Sequence, residues 1–92
     1  MEPAYQEMGK VLKALSDPKR LRIASLLAKE ELGASKLLEF FEVTQPTLSH
    51  DMRVLLDAGV VTERRAGKQV FYRLNKENMS AFTLQLQGAL EL

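Results

Sequence analysis

The side chains of this sequence best suited to chemistry lie close together, between positions 44 and 53. They are hydroxyls, an amide, an imidazole and a guanidinium, the groups that hydrogen-bond to phosphates and to base edges in a DNA major groove. The candidates are Thr44, Gln45, Thr47, Ser49, His50 and Arg53, with Pro46 on the same face. A helix face that merely lies in solvent more often carries Glu and Lys pairs four residues apart, so this composition favours nucleic-acid contact.

The helix that positions these groups is marked at both ends. Thr44 can cap the first turn with its side-chain oxygen, a role that would explain this residue even without DNA contact. Pro46 suits an early helical position and Gly59 suits the residue just past the end, so the predicted helix spans residues 45–58. The opposite side carries a narrow apolar stripe, formed by Leu48, Met52 and Leu55.

Three other features of this helix allow more than one interpretation. His50, the only histidine, could contact a base or phosphate, lie on the surface as a structural residue, or bind a metal ion. Arg53 could bind guanine edges through two hydrogen bonds or hold a phosphate. Asp51 would repel DNA unless it pairs with a cation or faces away, and the helical wheel places it beside the apolar stripe.

Composition predicts one small folded domain over residues 1–92. The chain is 46% hydrophobic and 27% charged, which is ordinary for a globular protein. It has no apolar run of about 20 residues and no signal-peptide pattern, so we expect a cytoplasmic protein. The absence of cysteine excludes disulfides and thiolate metal sites. Because the formal net charge is only +1, any electrostatic attraction to DNA must be local.

Three helices are predicted ahead of the one at 45–58. The first runs from Pro3 to about residue 15, and Asp17 and Pro18 supply the cap and first position of a second, which continues to 28 or 29. A short third helix is expected from 33 or 34 to 40 or 41. A short helix, a tight link and a second helix form a helix-turn-helix.

Beyond Gly59 the pattern changes to a hairpin and a last helix. Val60–Arg65 and Gln69–Leu74 are rich in β-branched and aromatic residues, and Gly67 between them can adopt the positive φ of a hairpin turn. Asn75 can cap a helix that continues to the end of the chain. The predicted order is ααααββα, a mainly α winged helix-turn-helix with a β-hairpin wing.

The tip of the predicted wing is crowded with basic and polar side chains. These are Arg64, Arg65, Lys68 and Gln69. One interpretation is contact with the DNA backbone or minor groove. The other is a charged edge strand that stays in solvent, since charged edges protect sheets from aggregation.

Apolar stripes on the first and last helices predict a dimer interface. The residues are Tyr5, Met8, Leu12 and Leu15 on the first helix, and Met79, Phe82, Leu86 and Leu90 on the last. So short a chain offers little else to cover them, although packing within one chain is the alternative.

Three segments of the chain resemble the ArsR/SmtB family of small winged-helix repressors. They are ALSDPKRLRIASLL, TQPTLSHDMRVLLDAGVV and ERRAGKQVFYRL, in the order and spacing typical of that family. The resemblance implies a homodimer, with the first and last helices at its interface, that binds a palindromic DNA operator. It also implies release by an inducer, usually a metal or metalloid ion. The segments KLLEFF and TQPTLSHDM are most similar to arsenic-responsive members.

The metal ligands of many family members are missing here. Those members carry a Cys-x-Cys at the start of the third helix, where this chain has Gly33 and Ser35. A second family site uses Asp and His residues on the last helix, but residues 79–92 contain no histidine and a single acid, Glu91. We therefore expect no metal site and no cofactor. Either the chain answers to another signal, or it is a variant stripped of its cysteines.

Two rival classes of function are less well supported. A winged-helix module that binds proteins would carry an apolar or acidic recognition face. An enzyme would carry a glycine-rich phosphate loop, paired carboxylates or a Ser/His/Asp set, none of which the sequence shows. The sequence therefore predicts a DNA-binding transcriptional regulator and not an enzyme.

Overall fold

The elements of the fold follow the predicted order, with one short strand added. The computed structural model describes residues 5–92, so the predicted helix start at Pro3 lies outside them. The elements are α1 Tyr5–Leu15, α2 Pro18–Lys29, β1 Leu32–Gly33, α3 Ala34–Leu38, α4 Gln45–Asp57, β2 Val61–Ala66, β3 Gln69–Leu74 and α5 Lys76–Ala89. None of the helices within residues 5–92 is long and apolar enough to cross a bilayer. The predicted winged helix-turn-helix architecture is confirmed.

The helix ends form where the local sequence signals predicted them. Asp17, Thr44 and Asn75 each accept a hydrogen bond from the backbone N–H three residues further on, at 3.1, 3.3 and 3.2 Å. Each bond satisfies one of the donors that a helix start leaves unpaired. After α4, Gly59 adopts a φ of +75°, a conformation that favours glycine and lets the chain turn into the sheet.

The wing belongs to a three-stranded antiparallel sheet in the order β1-β3-β2. In the hairpin, Val61 lies opposite Leu74 and Ala66 lies opposite Gln69. The added strand β1 pairs Leu32 with Tyr72. Because β1 has only two residues, it carries no alternating pattern by which the sequence could have revealed it. It joins the wing to the start of α3.

The third helix is shorter than predicted. It ends at Leu38, and the next three N–H groups, of Glu39, Phe40 and Phe41, donate to carbonyls three residues back at 3.2, 3.1 and 3.1 Å. Such bonds belong to tight turns and not to an α-helix. Phe41 packs against the core, and the Arg22 guanidinium lies 5.0 Å from the centre of the Phe41 ring. Phe40 is exposed.

One hydrophobic core holds α4 in place. Its most deeply buried large side chains are Ile23, Leu27, Leu37, Met52, Leu55 and Val60. The predicted stripe of α4 is confirmed, because Leu48, Met52 and Leu55 are all buried. Burial of this stripe fixes which face of α4 points away from the protein.

Candidate nucleic-acid interface

The polar face of α4 is open to solvent. The side chains predicted to contact DNA from this region, Thr44, Gln45, Pro46, Thr47, Ser49, His50 and Arg53, are all exposed. Thr44 is the most constrained of them, since its hydroxyl caps the helix and lies 3.0 Å from the Thr47 hydroxyl. The helix therefore presents donors and acceptors on the side opposite to the buried stripe.

Within residues 5–92, Arg53 has a single, weak partner. Its Nη1 atom lies 3.9 Å from Asp57 Oδ1, one helical turn away, and both side chains are exposed. Exposed pairs of this kind stabilise by about 0–1 kcal/mol. The guanidinium can therefore exchange Asp57 for a phosphate or a base edge at little cost.

His50 is the residue of α4 for which metal binding was one interpretation. Within residues 5–92, no group of three or more His, Cys, Asp or Glu side chains is placed to hold one. The imidazole is exposed at the outer face of α4. Two interpretations keep support, contact with DNA and a surface residue without a specific task.

Asp51 is paired and turned inward, as the helical wheel suggested for a carboxylate in this helix. Its Oδ2 atom lies 2.7 Å from Lys19 Nζ, and its Oδ1 lies 3.4 Å from Arg20 Nη1. The Asp51 side chain is buried. Its negative charge is thus matched by two cations of α2 and kept from the outer face.

Arg64, predicted to contact DNA, is exposed but pairs with a carboxylate of its own chain. Its Nε and Nη2 atoms donate to the two carboxylate oxygens of Glu31 at 2.9 and 2.7 Å. Its guanidinium also lies 4.6 Å from the centre of the Phe71 ring. The bond to Arg64 lowers the pKa of Glu31, and the bond to Glu31 raises the pKa of Arg64. Arg64 therefore connects the wing to Glu31, which lies between α2 and β1. The two donor atoms Nε and Nη2 both bind the Glu31 carboxylate.

The other predicted wing residues have no such partner. Arg65, Lys68 and Gln69 are exposed, and their side chains make no hydrogen bond or ion pair with any residue from 5 to 92. Two cations at the end of a hairpin can contact the phosphates of a DNA backbone. Of the predicted wing residues, these three keep their polar groups available.

A groove of about 370 Å³ separates α4 from the wing. Buried Leu48 and Met52 contribute to its lining, whereas its exposed polar residues are Ser35, Gln45, Ser49, Lys68 and Gln69. Ser35, from the first turn of α3, was not predicted to belong to this surface. Its position in the short helix of a helix-turn-helix was the signal that could have indicated it.

Charges from α4 and from the wing act on one hydroxyl in this groove. Burial raises the pKa of Tyr72, and Glu63 acts in the same direction. Arg53 of α4 and Arg65 of β2 act against that increase. Glu63, Arg53 and Arg65 therefore all act electrostatically on the Tyr72 hydroxyl, with opposite signs.

The predicted dimer stripes are only partly available to a partner. Tyr5, Leu12 and Leu90 are 58%, 45% and 60% exposed, but Met8 and Phe82 are 4% and 8% exposed and fill the core of the chain itself. The predicted residues Leu15, Met79 and Leu86 lie between these extremes and pack against the core. Leu84, 69% exposed on α5, is an apolar residue that the predicted stripe did not include.

The position of the family's thiolate metal site does not fit a soft ion in this chain. Gly33 supplies no side chain, and a Cβ atom placed there would lie 3.3 Å from the Phe71 ring. Ser35 offers a neutral hydroxyl, which is a poor ligand for soft ions. The donor set needed for thiolate coordination is therefore missing.

A short helix, a turn, a second helix with an exposed polar face and a basic hairpin define a winged helix-turn-helix protein. Residues 15–64 match a family described as a helix-turn-helix domain. Over 74 residues the chain is 50% identical to the arsenical resistance operon repressor of Staphylococcus xylosus, covering 80% of this chain and 71% of that protein. The chain belongs to the ArsR/SmtB family, and the predicted resemblance is confirmed.

Two further relatives extend the match over nearly all of the chain. The biofilm growth-associated repressor of Xylella fastidiosa is 40% identical over 90 residues, covering 98% of this chain and 75% of that protein. A homodimeric winged helix-turn-helix DNA-binding domain from Mycobacterium bovis, solved by NMR, superimposes with a TM-score of 0.77 at 26% identity. That match covers 95% of this chain and 81% of the solved chain.

Proposed function

We propose that this protein is a transcriptional repressor that binds a palindromic DNA operator as a homodimer in the cytoplasm. The observation that carries the proposal is the exposed polar face of α4 beside the unpaired cations of the wing. Residues 1–92 act as one domain in this proposal. A regulator of this kind needs to bind and release DNA and has no reaction to catalyse.

The geometry favours one arrangement on DNA. α4 enters the major groove, where Gln45, Thr47, Ser49, His50 and Arg53 reach base edges and phosphates. The wing contacts the DNA backbone or the adjacent minor groove through Arg65, Lys68 and Gln69. The phosphate strand between these two grooves then crosses the cleft between α4 and the wing, within reach of Ser35 and Ser49. Arg64 stays bound to Glu31.

A salt titration tests whether the protein binds DNA at all. The probe is a fluorescent duplex from the region upstream of its own coding sequence, measured by gel shift at two salt concentrations. Each phosphate neutralised by Lys or Arg contributes about 0.9 to the slope of log affinity against log salt. We expect a steep loss of affinity at high salt. A protein-binding module would leave the duplex unshifted at both concentrations.

The first prediction concerns Arg53, an exposed donor of α4. Arg53→Ala should weaken operator binding by about 1–3 kcal/mol, as expected for loss of a base or phosphate contact. The fold of this variant should persist because, among the described residues, Arg53 makes a single weak pair, with Asp57. Fluorescence anisotropy with the operator duplex measures the change, and circular dichroism checks the fold.

Arg73→Ala is the matched control for Arg53→Ala. It removes the same charge from an exposed strand residue whose side chain donates to Thr62 at 3.4 Å. We expect the control to change operator affinity by less than about 0.5 kcal/mol. Equal losses in the two variants would show that Arg53 contributes only general charge.

The second prediction concerns the inducer. Arsenite, cadmium and zinc should leave the preformed operator complex intact, although a relative is named for arsenical resistance. A tenfold loss of operator affinity requires the ion to bind the free protein more tightly than the DNA-bound form by about 1.4 kcal/mol. Gly33 and Ser35 supply no soft ligand for such a difference. Anisotropy during titration of each ion under reducing conditions measures the outcome.

A double variant, Gly33→Cys with Ser35→Cys, serves as the positive control. It restores two thiols at the start of α3, with a small shift of the Phe71 ring to admit the new Cβ. Release of DNA by a soft ion from this variant, but not from the wild-type protein, is the expected pattern. Stoichiometric release from the wild-type protein would mean that it has an ion site built from other residues.

A further inference from the structure

Asp51 is a buried charge in the middle of the recognition helix. It is 3% exposed, and no other charged side chain within residues 5–92 is buried to this degree. A buried carboxylate is strongly unfavourable unless cations and hydrogen bonds compensate it. No base or phosphate can reach it on the inner side of α4, so DNA contact does not explain its presence.

Both oxygens of Asp51 face the start of α2. Oδ2 accepts no hydrogen bond of good geometry but lies 2.7 Å from the Lys19 ammonium, which makes the contact an ion pair. Oδ1 lies 3.4 Å from Arg20 Nη1. Lys19 and Arg20 are themselves partly buried. Their charges are therefore directed to α4 and are poorly available to a phosphate backbone.

Arg20 extends this contact to the end of α1. Its Nε donates to the carbonyl oxygen of Ala14 at 2.7 Å, and its Nη2 donates to that of Lys13 at 3.4 Å. The carbonyls at a helix C-terminus lack partners in the helix and carry partial negative charge. A single guanidinium thus connects the last turn of α1, the first turn of α2 and the middle of α4.

We propose that Asp51, Lys19 and Arg20 are positioning residues that fix the recognition helix relative to α1. The inference rests on the proposed homodimer, in which α1 contributes to the interface. The angle between α4 and α1 then sets the distance and orientation between the two recognition helices. That distance determines which spacing of operator half-sites both helices can occupy together. The network therefore sets spacing specificity without contact to DNA.

Binding to duplexes of different half-site spacing tests this role. The probe is an inverted-repeat duplex selected from a random pool by the wild-type protein, together with versions one base pair longer and one shorter between the half-sites. Asp51→Asn keeps the side-chain shape and removes the charge. We expect a loss of about tenfold on the selected spacing and less than about twofold on the other two. The preference for one spacing would therefore flatten.

Asp57→Asn is the matched control, since it removes the same charge from an exposed position on α4. It should keep the sharp spacing preference. Arg20→Lys retains the charge but loses the planar fork that joins three helices, so it should flatten the preference as Asp51→Asn does. Light scattering checks that each variant remains dimeric.

The outcomes separate this inference from the proposed function. If the wild-type protein selects no duplex, the proposed function fails and the inference fails with it. If the wild-type protein prefers one spacing and both Asp51→Asn and Arg20→Lys keep that preference, only the inference is overturned. An equal loss on all three spacings would also overturn it, because that pattern reports general destabilisation. Should Asp51→Asn fail to fold, the result for Arg20→Lys decides.

Discussion

Leu12→Asp should convert the protein to monomers and lower operator affinity by about 100-fold or more. Leu12 lies on α1 and is 45% exposed, and Tyr5 of the same predicted stripe is 58% exposed, so the two residues can form an apolar patch for a partner to cover. A carboxylate at that position would have to lose its water of hydration when two copies meet. Without the dimer, each recognition helix binds its half-site alone and the gain from linked binding is lost. Light scattering measures the oligomeric state, and anisotropy measures operator affinity.

Gln6→Asp is the control for the added charge. It places a carboxylate at another exposed position of α1, away from the apolar stripe. This variant should stay dimeric and bind the operator like the wild-type protein. A Leu12→Asp protein that remains dimeric in light scattering would remove α1 from the interface. The exposed leucines of α5, Leu84 and Leu90, would then be the next candidates.

The helix starts and the wing were predictable because their signals are local. Asp17, Thr44 and Asn75 cap helices through bonds that reach only three residues. Gly67 adopts a φ of +64° between two strands of favourable composition. Such signals need no knowledge of the tertiary fold. The same holds for the polar face of α4, since a helical wheel alone separates it from the buried stripe.

Contacts between distant parts of the chain were not predictable in the same way. The ion pair of Arg64 with Glu31 joins residues 33 positions apart, and no periodic pattern links them. The strand β1 exists because β3 offers it a free edge, which the two residues of β1 do not indicate by themselves. Asp51 lay beside the apolar stripe on the helical wheel, but its connection through Arg20 to α1 required the packed structure.

The apolar stripes of α1 and α5 show a different limit. Periodicity identifies which residues share a face of a helix but not what covers that face. Met8 and Phe82 turn into the core of the chain, whereas Tyr5, Leu12 and Leu90 of the same predicted stripes remain exposed. The apolar face of a helix can be wide enough for some of its residues to pack within their own chain while others contact a partner. Which residue goes where depends on the angle at which the helices pack.

Leu55→Ala should lower the free energy of unfolding by about 2–5 kcal/mol, which is typical of a cavity left by a fully buried leucine. Leu55 is 0% exposed on the inner side of α4. Leu21→Ala is the control, since the same atoms are removed from a residue that is 53% exposed, and we expect a change within about 0.5 kcal/mol. Urea denaturation at equal protein concentration measures both, because the stability of a dimer depends on concentration. Equal changes in the two variants would mean that Leu55 does not carry the packing of α4.

Operator binding by Leu55→Ala distinguishes the two faces of the recognition helix. Under conditions where this variant is still folded, we expect its operator affinity to fall by less than Arg53→Ala, because no DNA contact lies on the buried side. Arg53→Ala should show the opposite pattern: a free energy of unfolding near that of the wild-type protein and a weak affinity for the operator. Its ion pair with Asp57 is exposed and therefore adds little stability. If both variants lost both stability and operator affinity, the packing face and the DNA-binding face of α4 would not be distinct.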